Sequence, residues 1–402
     1  MPNFPFSKRT FRAKEKPLLC KPLEASPHSS GRHGSWPQGL AMTMSAPSPL
    51  AILGIGMMTP VGLTASQTAK SVRAGISRIQ ESPFLDDKLE PFSMGYLQND
   101  LLSPLKQEIA TRNNLTSLHR RLLCLGAEAL AAAIATTPCI EDVPLFLALP
   151  TPFPGRDVPH AADFLGLLAH QSEIPFNQGR SCVFSQGRAG FFHALQEAIH
   201  YLQAPDSCGI VLVGGLDSYL DPWILEHYSI VEKRLLREGV ADGFRAGEGA
   251  AFFMLTTPSA CQRHNWTPHA IIRSVGVGME EGHLYSDKPY RGDGLAGAFA
   301  SLFAEIETPP IQTVFAGFNG ENIWAKEWGV SLIRQRKHFA EKLRIEHPAE
   351  CIGDAGAALP AIMLGCVALG LQQGYLPGPA LVFASSDGPH RGAALLLRSD
   401  AS

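Results

Sequence analysis

Regular hydrophobic patterning begins at Leu50. The run Leu50-Ala-Ile-Leu-Gly-Ile-Gly56 is apolar at successive positions, as in a strand covered on both faces, and it predicts a strand ending in a glycine turn. Residues 64–74 predict a helix stopped by Gly75. Helices are predicted again at 119–134 and 191–202, and strands at 143–149, 210–213 and 250–255, with a glycine-containing turn over 184–190. A polar connection, 257–267, follows. The pattern then restarts with a strand at 270–277, a helix at 293–306, a strand at 313–316 and a helix at 327–339. A long apolar helix at 356–370 and strands at 380–384 and 393–397 complete it. Alternating strands and helices imply α/β layers. The restart near residue 268 divides the chain into two similar halves, 49–258 and 268–400.

Residues 1–48 differ. Lys8, Arg9, Arg12, Lys14, Lys16 and Lys21 precede a Ser/Pro/Gly/His stretch with no apolar period. This composition predicts disorder. It also suits a transit peptide, or a translation start at Met42 or Met44 just before the first strand.

Of the 402 residues, 45% are hydrophobic and 18% charged, enough to bury a core. A net charge of -3 gives no nucleic-acid or membrane footprint. The eight cysteines contain no C-x-x-C pair, so neither a zinc site nor a redox motif is expected, and the setting reads as reducing and cytoplasmic. No cofactor is expected.

Several segments together carry a resemblance. Ala51-Ile-Leu-Gly-Ile-Gly-Met-Met-Thr-Pro-Val-Gly62 leads into a helix ending Arg73-Ala-Gly75. Val211-Leu-Val-Gly-Gly-Leu-Asp217 is a strand with a Gly-Gly turn, and Asp242-Gly-Phe-Arg-Ala-Gly-Glu-Gly-Ala-Ala251 is a glycine-rich loop before a strand. In that loop Glu248 is placed to bond buried backbone amides. Ile271 to Gly278 opens the second half, and Gly353-x-x-Gly-Ala-Ala358 and Ala384-Ser-Ser-Asp-Gly388 come near its end. Over residues 50–400 the chain resembles the β-ketoacyl synthases. The resemblance implies a thiolase-like fold, two similar α-β-α-β-α halves forming a five-layered core.

The same resemblance locates a degenerate site. The family places a nucleophilic cysteine in Cys-x-x-Gly at the start of a long helix, where the helix dipole lowers its pKa. The matching segment is Phe184-Ser-Gln-Gly-Arg-Ala-Gly-Phe-Phe192. Aligning the glycine on Gly190 puts Gly187 at the cysteine position, and shifts of one or two residues put Gln186 or Ser185 there. Ser185 is a candidate hydroxyl nucleophile or a turn residue. Gln186 matches the Gln-for-Cys exchange of decarboxylating relatives and chain-length partner subunits. Cys182 is a core thiol or a displaced nucleophile. The family's first histidine position falls at Ala316 or Gly317, with Asn319 as a candidate hydrogen-bond donor. The second falls near Gly353-Asp354, with Asp354 as a candidate base. Asp387-Gly-Pro-His-Arg-Gly392 replaces the closing Gly-Phe-Gly-Gly-Thr-Asn and brings His390 and Arg391 to its place.

Without the Cys-His-His set, condensation by the usual mechanism is not expected. The leading expectation is a non-condensing binding or accessory protein. The segments Asn319-Gly-Glu321, Glu327-Trp-Gly329, Gly353-Asp354 and Ser385-Ser-Asp-Gly388 resemble a divergent bacterial group that lies in type VI secretion effector clusters. That resemblance implies an effector protein as partner. The alternatives are an acyltransferase or decarboxylase acting on acyl-carrier-protein or CoA thioesters, and a chain-length-factor-like subunit. A homodimer joined through the strand beginning at Cys182 is implied by the family, and neither nucleic acid nor membrane is expected as a partner.

Overall fold

The structure, a computed structural model, describes residues 49–135, 142–153, 161–304 and 307–399. The basic segment 1–48 lies outside the described residues.

Among the described residues twelve strands run in chain order: β1 (Leu50–Met58), β2 (Ile79–Leu85), β3 (Pro91–Gly95), β4 (Leu145–Ala148), β5 (Cys182–Phe184), β6 (Ile210–Ser218), β7 (Glu248–Thr256), β8 (Ala270–Met279), β9 (Ile311–Ala316), β10 (Phe339–Glu346), β11 (Ala380–Ser385) and β12 (His390–Arg398). Strands β2 and β3 form a hairpin, and the others lie in the order β10-β9-β11-β12-β8-β1-β7-β6-β4-β5. One arrangement is used twice. Counting only the five large-sheet strands of each half, the first pairs antiparallel with the fifth and the fifth antiparallel with the fourth, while the second and third continue in parallel. The halves meet where Leu50 and Ala51 of β1 pair antiparallel with Ile272 and Ile271 of β8.

Two helices, Gly190–Gln203 and Leu359–Gln372, fill the middle layer. Their Phe191, Phe192, Ile362 and Leu364 share one core with Val213 and Phe253 of the first half and Val382 and Leu396 of the second. Helix Leu359–Gln372 is buried from Leu359 to Leu371, so it needs no polar face. Helix Ser117–Ile134 covers the outer face of the first half, and helices Asp293–Phe303 and Asn322–Arg334 cover that of the second. The result is the expected five layers.

The paired glycines of β1 do not end the strand, as the pattern predicted, because β1 continues to Met58. They let a helix lie against it. A Cβ at Gly54 or Gly56 would stand 2.0 or 1.9 Å from the carbonyl oxygens of Ala133 and Ala129, and at Gly276 or Gly278 2.0 Å from those of Ala298 and Gly294. The two halves thus repeat one close approach of backbone to backbone.

The predicted helix at 327–339 is displaced. The helix is Asn322–Arg334, and Phe339 opens β10. β10 is an edge strand paired with β9 and mostly solvated, so its sequence carries no buried alternation. The polar connection contains a short helix, Pro258–His264, whose first turn is capped by Thr257 accepting from the Ala260 N–H. No helix among the described residues is long and apolar enough to cross a membrane.

Gly56→Ala forces this close approach apart and is expected to destabilise the fold by about 1–3 kcal/mol, read as a lower urea midpoint. Gly297→Ala is the control, since a Cβ there meets nothing within 4 Å in a helix interior. Equal effects of the two would contradict the packing argument.

Candidate functional site

Two turns of the same kind face each other across the middle layer. After β5 the chain turns at Gly187 (φ +63°), passes through the 3-10 turn Gly187–Ala189, and enters helix Gly190–Gln203. In the second half Gly356 (φ +50°) starts the 3-10 turn Gly356–Ala358, which enters helix Leu359–Gln372. Both first residues have the left-handed backbone that favours glycine. Ser386 pins the first turn: its hydroxyl accepts the Ala189 N–H at 2.9 Å and donates to the Gln186 carbonyl.

Arg188 lies inside this turn and is 3% exposed. Its guanidinium donates through Nε to both carboxylate oxygens of Asp354 at 3.1 Å, and through Nη2 to the same group. Nη1 reaches Asp387 at 2.9 Å and the Ser385 carbonyl at 3.2 Å. Asp387 also accepts from Arg234 at 2.9 and 3.2 Å. Arg234 in turn donates to Glu321 at 2.6 and 2.8 Å and to Glu232 at 2.9 Å. Asn319 Nδ2 closes the ring, donating to Asp354 and Glu321 at 2.9 Å each. Trp324 Nε1 adds a bond to Glu321 at 3.1 Å. A second buried pair, Arg391 with Glu327 at 2.6 Å, lies behind it.

Burial opposes the charge on Arg188, but Asp354 and Asp387 outweigh it and hold its pKa well above the usual value. Burial would likewise raise Asp387, yet Arg188 and Arg234 hold it well below the carboxylate range. Asp217 is different. Burial pushes its carboxyl up to about 7, and the neighbouring Asp354 adds to this. The N–H groups of Ala357 and Ser218, each at 2.8 Å, pull the other way.

A cavity of about 360 Å³ opens in front of Gly187, walled by Arg188, Asp217, Tyr219, Tyr228, Tyr285 and Ser386 among others. Of the residues singled out in the sequence, Asn319 and Asp354 come together at the ion network beside it. Ser185 and Gln186 are not among its walls. Gln186 Oε1 is buried with no hydrogen-bond partner among the described residues, 3.6 Å from where a Gly190 Cβ would stand. His390 packs edge-on against His193 with ring centroids 5.1 Å apart, and burial lowers the pKa of both. Cys182 is not a core thiol but lies exposed on β5, its pKa raised by desolvation and by Glu197. Glu248 accepts one backbone amide, Leu97 N at 2.7 Å; its other partners are Arg121 and Ser218.

Arg188, Asp217 and Asp387 lie in motifs that the sequence reading quoted, but neither they nor Arg234 were singled out as site residues. The available signal was Arg188 itself, a charge set between glycines immediately before a helix that must be buried, which requires carboxylates from elsewhere. Their long sequence separation left those partners invisible. Chemically the centre holds charge tightly, and its polar groups are engaged by one another. Asp354 is engaged by Arg188 and Asn319, and the Ser386 hydroxyl is engaged by the backbone.

Asp217 sets a pH signature. Its folded pKa is raised, so its contribution to stability is full below about pH 4 and is lost as pH rises toward 7. Asp217→Asn is expected to flatten the decline in urea midpoint over that window relative to the unsubstituted protein. Parallel profiles for the two would contradict the assignment.

Comparisons place this geometry among known folds. No family model matches the chain, and no curated protein matches it. Solved structures do. The ketosynthase from module 6 of the bacillaene synthase from Bacillus subtilis 168 superposes with a TM-score of 0.70 at 14% identity, covering 87% of this chain and 72% of that one. The ishigamide ketosynthase/chain length factor gives 0.69 at 13% identity, covering 87% and 99%. A type II polyketide synthase ketosynthase in complex with its acyl-carrier protein, AntDE:AntF, gives 0.68 at 14% identity, covering 88% and 100%. With its twice-used strand order and five layers, the chain has the thiolase-like fold of the ketosynthases.

Proposed function

We propose that the chain is a non-condensing protein of ketosynthase fold that acts by binding a partner rather than by joining acyl units. One observation carries this reading. The resemblance puts Gly187, Gln186 or Ser185 where a condensing enzyme has its thiolate, and Asn319 and Asp354 on the loops where it has its histidines; here Arg188 is bound to Asp354, and Asn319 donates to the same carboxylate. A guanidinium held by two carboxylates cannot act as a base or nucleophile at neutral pH.

The partner fitting the fold is an acyl-carrier protein, since a solved neighbour is a ketosynthase bound to one. A secreted effector is the partner suggested by the likeness of the loop segments to the secretion-linked group. A second reading, a chain-length-factor-like subunit, is favoured by the edge position of β5. This three-residue strand pairs with β4 on one side and has Cys182 exposed, leaving an edge on which a second copy or a catalytic subunit can add.

Intact mass spectrometry after incubation with acyl-CoA, malonyl-CoA and acylated carrier protein tests the reading. No covalent adduct and no condensation product are expected. A stoichiometric adduct lost in Ser185→Ala, Ser386→Ala or Cys182→Ala would overturn it and establish an acyltransferase or decarboxylase with that residue as nucleophile.

A further inference from the structure

The ion network around the cavity does not balance. Two guanidiniums, Arg188 and Arg234, and the imidazole of His227, 3.1 Å from Glu232, face four carboxylates, Asp354, Asp387, Glu321 and Glu232. Asp217 adds a fifth carboxyl on the cavity wall. It is 3% exposed, accepts two backbone N–H groups, and has no ion-pair partner among the described residues. An excess of buried negative charge is costly unless a cation compensates it. The rest of the wall suits a particular kind of cation. Tyr219, Tyr228, Tyr285 and Phe153 present aromatic rings, and Leu118 and Ile224 add apolar surface. Tyr228 is 6% exposed, and its hydroxyl makes no hydrogen bond among the described residues. No three His, Cys, Asp or Glu side chains among the described residues are grouped to hold a metal ion. The Tyr228 ring already carries one cation, the Arg234 guanidinium 5.5 Å from its centroid, and carboxylates beside aromatic side chains are the chemistry that holds alkylated ammonium groups.

We propose that this cavity is a receptor for a small organic cation, an alkylated ammonium group on a compact apolar body, seated against Asp217 between the tyrosine rings. The inference rests on reading the centre as non-condensing, and it gives the space in front of Gly187 an occupant of opposite character to an acyl chain. At about 360 Å³ the cavity matches a small ligand. Binding draws Asp217 into its ionised form. Burial holds that carboxyl up to about 7 without ligand, so affinity for a permanently charged cation rises with pH through neutrality.

Three probes of one shape separate charge from shape: choline, its neutral isostere 3,3-dimethylbutan-1-ol, and the anion 3,3-dimethylbutanoate. Isothermal titration calorimetry on the full chain is expected to show choline binding about tenfold or more tighter than the alcohol, with the anion weakest. Choline should bind more tightly at about pH 8 than at about pH 6. Asp217→Asn is expected to remove the preference for choline over the alcohol. Tyr219→Phe should keep it and Tyr219→Leu should weaken choline severalfold, which guards against a misfolded Asp217 variant. Equal binding of choline and alcohol, tighter binding of the anion, or an undiminished choline preference in Asp217→Asn would overturn the proposal. An acyl adduct in the mass-spectrometric test would instead remove the non-condensing reading itself, so the two failures are told apart.

Discussion

Everything at the centre of this molecule depends on the burial of one guanidinium. Arg188 enters the middle layer inside a tight turn and is cut off from water. Removing a charge from water costs several kcal/mol, and only close opposite charges with good hydrogen-bond geometry offset it. Asp354 and Asp387 supply them, one from the turn before helix Leu359–Gln372 and one from the connection between β11 and β12. The requirement to pair Arg188 thereby fixes the first half's elbow against two loops of the second half. Asn319, Glu321 and Arg234 extend the same constraint outward. The pseudo-symmetry makes this possible, because it brings the starts of the two central helices together, one presenting a cation and the other an anion.

This arrangement shows what the fold itself requires. The hydrophobic layers need only their apolar faces and the glycine approaches of β1 and β8. The elbow needs a residue that tolerates positive φ and a partner for whatever side chain follows it. Gly187 meets the first need and the Arg188 network the second. In front of the elbow lies a cavity whose walls include aromatic and acidic side chains.

Much of the fold was legible in the chain. Strands buried on both faces, such as β6 and β7, and the wholly apolar helix Leu359–Gln372 declare themselves through continuous hydrophobic runs. Solvated edge elements do not: β10 and the hairpin of β2 and β3 have little burial to imprint on their sequences. At the site, Asn319 and Asp354 could be found by position, because their loops keep recognisable glycines. Their role could not, since it is set by Arg188, which is 166 residues from Asp354 in sequence. Ser185 and His390 do not line the cavity, and His390 packs against His193.

The most direct test is the coupling energy between Arg188 and Asp354, measured by urea unfolding of Arg188→Met, Asp354→Leu and the double variant. If the network holds the centre, each single substitution strands a buried charge and costs about 3–5 kcal/mol. The double variant then costs far less than the sum, giving a coupling of about 2 kcal/mol or more. Additive losses, with coupling near zero, would show that Arg188 and Asp354 do not depend on one another and would contradict the account.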